Sequence, residues 1–237
     1  MPAYNEEANI RETITLWYPV VERINAEGGD AYLVIANDGS KDNTFGIMQE
    51  IVKEKPNFIS LDKPNSGHGA TVLYLYRYAL NHDANYIFQT DSDGQTNPDE
   101  FWQMWQNREK YDLQIGYRKG RQDGGSRIFV TIVLRLLVWF LFHVWVTDAN
   151  TPFRLMRSDK LQNILEMIPK DYFLCNVAIS AIAIKWKYNV RFYPISFKPR
   201  QGGVNSINMN RIVKIGWKAI GDFIHINRNL NKPQCVH

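Results

Sequence analysis

Short apolar runs alternate with amphipathic segments through the first half of the chain. The apolar runs have the length of buried strands, and the segments between them repeat apolar residues at helical spacing. The runs are 32–36, 58–61, 86–89 and 113–117, and the amphipathic segments are 43–53, 70–80 and 98–108. This order predicts an α/β fold with a mostly parallel central sheet flanked by helices.

Polar residues follow each predicted strand, at 37–40, 62–65, 90–93 and 118–120. In such sheets ligands bind beyond the carboxyl ends of the strands. Asp91 and Asp93 are separated by one residue, so both carboxylates can turn toward one cation, and Gln95 lies two residues further on. These oxygen ligands suit Mg²⁺ or Mn²⁺. Many Asp-x-Asp pairs are simply turn residues, so the spacing alone leaves both interpretations open.

The longest apolar stretch lies in the second half, at 128–146, and is interrupted by Thr131, Arg135 and His143. A central arginine costs roughly 2.5–3.5 kcal/mol on insertion scales, so we do not expect a membrane span. We expect either a core helix or a helix lying in the membrane surface. The segment 211–226 is a second amphipathic candidate, with the same two alternatives.

Charge is divided unevenly along the chain. Residues 1–112 contain 9 Lys and Arg against 18 Asp and Glu, whereas residues 113–237 contain 19 against 6. This division indicates a cation-binding half and a half that meets an anion, such as a phosphorylated ligand or an anionic membrane surface. A solvated basic face is the alternative. Nucleic acid is not expected, because no basic and aromatic recognition motif is present.

Composition and the chain start limit the class further. The chain is 45% hydrophobic with 7 Trp, 12 Tyr and 12 Phe, which excludes a disordered protein. The cysteines Cys175 and Cys235 form no CxxC pair, and Cys175 is expected in the core. The opening MPAYNEEANI has no apolar signal region, so we expect a cytoplasmic protein. We expect one domain, 1–237, with an acidic, cation-binding half, 1–112, and a basic, anion-binding half, 113–237.

Four motifs, in order and at characteristic spacing, resemble the inverting family 2 glycosyltransferases of the GT-A fold. They are PAYNE at 2–6, NDGSKD at 37–42, GHGA at 67–70 and DSD at 91–93. The resemblance implies a metal-dependent enzyme that uses a nucleotide-sugar donor. It implies donor contacts at Pro2, Tyr4, Glu6, Asp38, Gly67 and Asp91. It implies a metal site at Asp91, Asp93 and Gln95, holding Mg²⁺ or Mn²⁺.

The second half resembles the polyprenyl-phosphate sugar synthases of that family. The similar elements are GYR at 116–118, GGSR at 124–127, TDANTPFR at 147–154 and RQGGVNS at 200–206. The resemblance implies a polyprenyl phosphate acceptor held by Arg118, Arg127, Thr131 and Arg200, with the enzyme at the inner face of the membrane. It also implies a role in cell-envelope or lipid-linked glycan synthesis.

The chain departs from the family pattern in ways that concern mostly the acceptor. Asn37 replaces the first Asp of DDGS, Ile207 replaces a frequent Lys, and Asn176 replaces a usual acidic residue. The first strand is short, so either the true start lies upstream or the chain is truncated. A glycan hydroxyl acceptor would need a general base, for which Asp148 is the candidate. A non-catalytic nucleotide-sugar-binding relative is a further alternative. His68 either donates a hydrogen bond to phosphate or has no role in the site.

Overall fold

The computed structural model describes residues 1–118 and 144–198, together with Leu136, Trp139, Phe140, Gly221 and Asn227. Within these ranges the helices are α1 (Ile10–Ala26), α2 (Thr44–Val52), α3 (His68–Leu80), α4 (Phe101–Trp105), α5 (Ser158–Glu166) and α6 (Cys175–Lys185). The strands are β1 (Pro2–Ala3), β2 (Leu33–Asp38), β3 (Phe58–Lys63), β4 (Tyr86–Gln89), β5 (Leu113–Arg118), β6 (Arg154–Arg157) and β7 (Val190–Ile195). A short 3₁₀ turn, Pro98–Glu100, precedes α4.

The strands form two sheets, with the orders β1-β2-β3 and β4-β6-β5-β7. All pairs of the first sheet are parallel, as is the β5–β7 pair of the second. β6 runs antiparallel to both β4 and β5. The predicted α/β class with a mostly parallel, helix-flanked sheet is therefore confirmed, and β6 is an additional antiparallel strand that the apolar pattern did not indicate.

Two apolar cores lie on opposite faces of the second sheet. Neighbouring residues of a strand point to opposite faces, and in β6 Leu155 belongs to one core while Met156 belongs to the other. The Leu155 core receives the apolar face of α1, where Ile10, Ile14 and Trp17 are buried. The Met156 core receives α3, α5 and α6. The Cys175 side chain is buried there, as predicted.

Several element boundaries differ from the expected ones in a way that matters for the site. β2 extends through Asn37 and Asp38, so these residues end the strand rather than follow it. Arg118 is likewise the last residue of β5. The residues 4–7 form a loop before α1, which begins at Ile10, and α3 begins at His68 rather than at Ala70. Local hydrogen bonds, described below, set these ends more strongly than apolar spacing.

The two amphipathic segments of the second half lie mostly outside the described residues. Leu136, Trp139 and Phe140 are helical and exposed, as is Gly221 in the second segment. Among the helices that the structure describes, none is both long and apolar enough to cross a bilayer. The expectation that 128–146 does not span a membrane, and the assignment of a cation-binding and an anion-binding half, remain predictions.

Candidate active site

The Asp91-Ser92-Asp93 motif is fixed between the two sheets by its central serine. The Ser92 hydroxyl donates to the carbonyl oxygen of Pro2 in β1 (2.7 Å), and the Thr13 hydroxyl of α1 donates to the carbonyl of Ser92 (3.0 Å). A turn follows, with Gly94 at φ 71°, where a residue with a side chain would be strained. The buried serine therefore holds both neighbouring aspartates at the edge where β1 and β4 end.

One oxygen of Asp91 has the character expected of an open cation ligand. Its Oδ1 is buried and makes no hydrogen bond, and the Nε2 of His68 lies 3.8 Å from it. An unsatisfied buried carboxylate oxygen is unfavourable, and a divalent cation would remove that cost. Among the residues that the structure describes, no three His, Cys, Asp or Glu side chains form a metal cluster. Asp91, Asp93 and Gln95 fit Mg²⁺ or Mn²⁺ by their oxygen ligands, and such an ion would keep further positions for substrate phosphate.

Gln95 joins this loop to the segment after β7. The Gln95 side-chain nitrogen donates to the Lys198 carbonyl (2.9 Å), and the Lys198 backbone nitrogen donates to the Gln95 carbonyl (2.8 Å). Nearby, the Ser196 backbone nitrogen donates to Glu100 Oε1 (2.8 Å). Since the amide nitrogen of Gln95 is used in this contact, its amide oxygen is the atom that could bind a cation. The segment that leads to the predicted acceptor loop, 200–206, is therefore anchored beside the loop that carries Asp91 and Asp93.

Asp38 anchors the start of α3. Its carboxylate accepts hydrogen bonds from the Lys63 ammonium (2.5 Å) and from the backbone nitrogens of Ser66 and Gly67 (2.9 Å each). Burial alone would raise the pKa of Asp38, but the bonds from Lys63, Ser66 and the Thr71 hydroxyl hold the pKa below its usual value. Both oxygens are engaged, so the predicted nucleobase contact at Asp38 remains a prediction that would need these bonds to rearrange.

The loop 4–7 is cross-linked to the loop after β2. The Asn5 backbone nitrogen donates to the Ser40 hydroxyl (3.0 Å), and Asn5 Oδ1 accepts from the Lys41 nitrogen (2.8 Å). Glu6 is buried, and its backbone nitrogen donates to Thr44 Oγ1 (2.9 Å). These bonds hold Asn5 and Glu6 in the loop that precedes α1. Of the predicted donor contacts here, Tyr4 is exposed, whereas Pro2 is buried and bound to Ser92.

The loop that carries Asp148 is held by a fully buried arginine, Arg154. Its guanidinium donates to the carbonyls of Ala149 (2.5 Å) and Thr151 (2.6 Å) and, on α6, to the carbonyl of Asn176 and the hydroxyl of Ser180 (2.9 Å each). Burial lowers the pKa of Arg154, whereas the nearby Tyr76, Cys175 and Asp148 raise it. Asp148 is itself buried, and the structure places it on a rigid loop rather than at a helix end.

Arg118 is the one predicted acceptor residue within the described ranges. It ends β5, and its guanidinium lies over the Phe197 ring, 4.1 Å from the centroid. Arg127, Thr131 and Arg200 lie outside the described residues, so their roles remain predictions.

Burial raises the pKa of the Cys175 thiol to about 12, which makes it an inert core residue rather than a nucleophile.

Three residues of the site were missed by sequence reasoning. Lys63 pairs with Asp38 because the two are opposite each other in the β2–β3 register, which strand alignment could have indicated. Lys198 carries only backbone contacts, which no side-chain pattern reveals. Arg154 is an isolated charge between the apolar residues 153 and 155, and this position was the available signal for a buried structural cation.

Comparisons with known proteins define the class. The family model for Glycosyl transferase family 2 matches residues 1–165, and the chain belongs to this family. It is 24% identical over 230 residues to the polyprenol monophosphomannose synthase of Mycolicibacterium smegmatis, covering 92% of this chain and 83% of that protein. It is 34% identical over 220 residues to a dolichyl-phosphate beta-glucosyltransferase of Trichomonas vaginalis, covering 88% of this chain and 67% of that protein.

Solved structures agree with this assignment. The chain resembles glucosyl-3-phosphoglycerate synthase from Mycobacterium tuberculosis in its complex with Mn²⁺, UDP and glucosyl-3-phosphoglycerate, with a TM-score of 0.67 and 16% identity, covering 96% of this chain and 78% of that one. The complex of the same enzyme with Mn²⁺ and UDP-glucose gives a TM-score of 0.64. The fold is thus that of the GT-A glycosyltransferases, as predicted.

The Asp38 contacts predict a pH-dependent contribution to stability. Asp38→Asn removes the charge and leaves the Lys63 ammonium largely buried, so we expect a loss of about 3 kcal/mol in the free energy of unfolding at pH 7. A lowered folded-state pKa stabilises the protein above the unfolded pKa, near 4, and this stabilisation is lost as the pH falls through the folded pKa. The gap between wild type and variant should therefore shrink below about pH 4.

Urea unfolding at a series of pH values measures this gap. Asp83→Asn is the matched control, because Asp83 is exposed at the other end of α3 and should change stability by about 0.5 kcal/mol or less. A gap that stays constant down to pH 3 would show that the Asp38 charge does not carry the effect.

Proposed function

We propose that this glycosyltransferase moves a sugar from a nucleotide-sugar donor to a polyprenyl phosphate at the cytoplasmic face of a membrane, with inversion and with Mg²⁺ or Mn²⁺. The relatives support this acceptor, since they are named for polyprenol and dolichyl phosphates. A third, from Methanococcus voltae and 28% identical over 218 residues, is a UDP-N-acetylglucosamine–dolichyl-phosphate N-acetylglucosaminyltransferase. The observation in the structure that carries the proposal is the unsatisfied Asp91 oxygen at the sheet edge.

The donor end requires neutralisation of a leaving diphosphate. Asp91, Asp93 and Gln95 are the residues that would hold the divalent ion, whose chemistry is to act as a Lewis acid and template for the diphosphate. The chain's own contribution is positional. Ser92 fixes the two aspartates between β1 and α1, and the Gln95 backbone and side chain fix the adjoining segment. Because these ligands are fixed in advance, little reorganisation would be needed as negative charge develops on the leaving diphosphate.

The acceptor end requires cations rather than a base. A phosphate oxygen is already anionic near neutral pH and can attack the anomeric carbon without losing a proton. Arg118, at the end of β5, is oriented by its stacking on Phe197. Guanidinium groups bind phosphate through paired, charge-assisted hydrogen bonds. With a hydroxyl acceptor, Asp148 would instead have to remove a proton, and its rigid loop would then place the base.

Exposed aromatic residues support the proposed membrane site. Leu136, Trp139 and Phe140 are helical, exposed and spaced so that they share one face of the helix. Trp145 is also 62% exposed. Exposed apolar clusters mark interaction surfaces, and tryptophan favours the boundary between lipid and water. Together with the basic second half, this face suits an anionic membrane surface.

The metal assignment predicts that nucleotide binding depends on the cation. Asp93→Ala and Asp91→Asn should abolish the gain in affinity that Mn²⁺ gives to UDP or GDP, because each removes a carboxylate ligand. Calorimetry with and without Mn²⁺ measures the gain, and Asp83→Asn serves as the control. Equal affinity with and without Mn²⁺ in the wild type would exclude the metal site.

The acceptor assignment predicts which substitution slows transfer. Arg118→Ala should reduce the rate of transfer to polyprenyl phosphate about ten- to a hundredfold, since a hydrogen bond to a charged group contributes about 1.5–3 kcal/mol. Arg127→Ala should act in the same direction, and Asp148→Asn should keep a measurable rate. Arg108→Ala is the matched control, because Arg108 also stacks on an aromatic ring, that of Trp105.

A pH profile separates the two acceptors. The hydroxyl acceptor predicts three results: the wild-type transfer rate falls at acidic pH, Asp148→Asn abolishes that fall, and Arg118→Ala changes the transfer rate little. Together they would show that the acceptor is a hydroxyl and that Asp148 is its base.

Membrane attachment should depend both on the exposed face formed by Leu136, Trp139 and Phe140, called here the aromatic face, and on the charge of the lipid. The double substitution Trp139→Ala and Phe140→Ala should reduce the fraction that floats with anionic liposomes, and added salt should weaken binding of the wild type. Tyr32→Ala removes a half-exposed aromatic side chain elsewhere and should leave flotation unchanged. Flotation that ignores lipid charge would contradict the electrostatic part, and flotation unchanged by the double substitution would contradict the aromatic part.

A further inference from the structure

We propose that His68 is a catalytic residue that donates a hydrogen bond from its imidazole N–H to the diphosphate of the donor as that group leaves. This inference rests on the proposed function, because it requires a nucleoside diphosphate in the site. It assigns a role to His68, which is not part of the Asp91-Ser92-Asp93 motif.

The position of His68 is the first observation. It is the first residue of α3, its side chain is 52% exposed, and its Nε2 lies 3.8 Å from the buried Oδ1 of Asp91. That distance is too long for a hydrogen bond. The imidazole therefore stands at the mouth of the site, beside the carboxylate, without satisfying it.

The chemistry next to Asp91 favours phosphate as the partner. A diphosphate must approach Asp91 and Asp93 if those residues are to act on it through a shared cation. An N–H donor less than 4 Å from Asp91 then lies within reach of the phosphate oxygens. An imidazole carries at least one N–H donor in both protonation states, so either state can make the contact.

The backbone around His68 supports the same partner. The first N–H groups of a helix have no partner within the helix and favour anions. The nitrogens of Ser66 and Gly67 are already bound to Asp38, so the unpaired groups of the 13-residue helix begin at His68. At the next position, a Cβ on Gly69 would overlap the backbone of Phe173. The backbone at the start of α3, from which the His68 side chain projects, is thereby packed closely against that of Phe173.

The test compares two variants of His68 with a control on the same helix. His68→Leu removes the donor at similar volume, whereas His68→Gln keeps an N–H. His82→Leu is the control, because His82 is exposed at the far end of α3, where its side chain contacts Tyr78. The substituted side chains are exposed, so folding is not at stake, and thermal melting checks this.

Binding is measured with Mn²⁺ present, using whichever of UDP and GDP binds the wild type more tightly, and the matching nucleoside. We expect His68→Leu to weaken nucleoside diphosphate binding about tenfold or more. It should leave nucleoside binding unchanged, measured by displacement of a fluorescent nucleotide. His68→Gln should recover most of the affinity, and His82→Leu should match the wild type.

Three results would overturn the proposal. They are an unchanged diphosphate affinity in His68→Leu, an equal loss for diphosphate and nucleoside, and a loss of Mn²⁺ affinity measured without nucleotide, which would make His68 a metal ligand. These outcomes differ from failure of the proposed function. If the wild type binds neither diphosphate, or binds one but transfers no sugar to polyprenyl phosphate, it is the proposed function that fails.

Discussion

The guanidinium of Arg154 connects strand β6 with the loop that precedes it and with the first turns of α6. It lies in β6, opposite Gln89 of β4 in the antiparallel register, and it binds both the loop that follows Asp148 and the first turns of α6. A fully buried charge is costly unless its donors are satisfied. Since its partners are mainly carbonyls of fixed backbone, the loop before β6 and the Asp91 loop after β4 are held at the same edge of the sheet.

The loops at this edge of the sheet differ in whether their polar side chains are hydrogen-bonded. The loops around Asp38, Asn5 and Glu6 are closed by mutual hydrogen bonds, and the Tyr76 hydroxyl of α3 donates to Gln89 just before the metal loop. The Oδ1 of Asp91, in contrast, is buried without a hydrogen bond, and so is the Oε2 of Glu100 a few residues further on. Hydrogen-bonded surroundings with unsatisfied carboxylate oxygens describe a site in which little binding energy would be lost in ordering the protein.

The sequence predicted the class of fold well and the contacts of the site poorly. Short apolar runs gave β2, β3, β4 and β5, because burial in a sheet leaves a strong pattern. They did not indicate β6, which begins and ends with the arginines Arg154 and Arg157, nor β7, which is only partly buried. The motif residues were found by type and spacing. The pairing of Asp38 with Lys63 could not be found that way, because it depends on strand register.

In the proposed reaction, the opposite charges of the two halves correspond to two ways of handling phosphate. A leaving diphosphate would gain charge during the reaction, and the acidic residues of the Asp91 motif could meet it only through a cation. An acceptor phosphate must stay nucleophilic. Guanidinium groups hold such an oxygen by hydrogen bonds without the tight coordination that a metal would impose. A second cation site would therefore blunt the nucleophile, and a basic half is the chemically consistent partner for an acidic one.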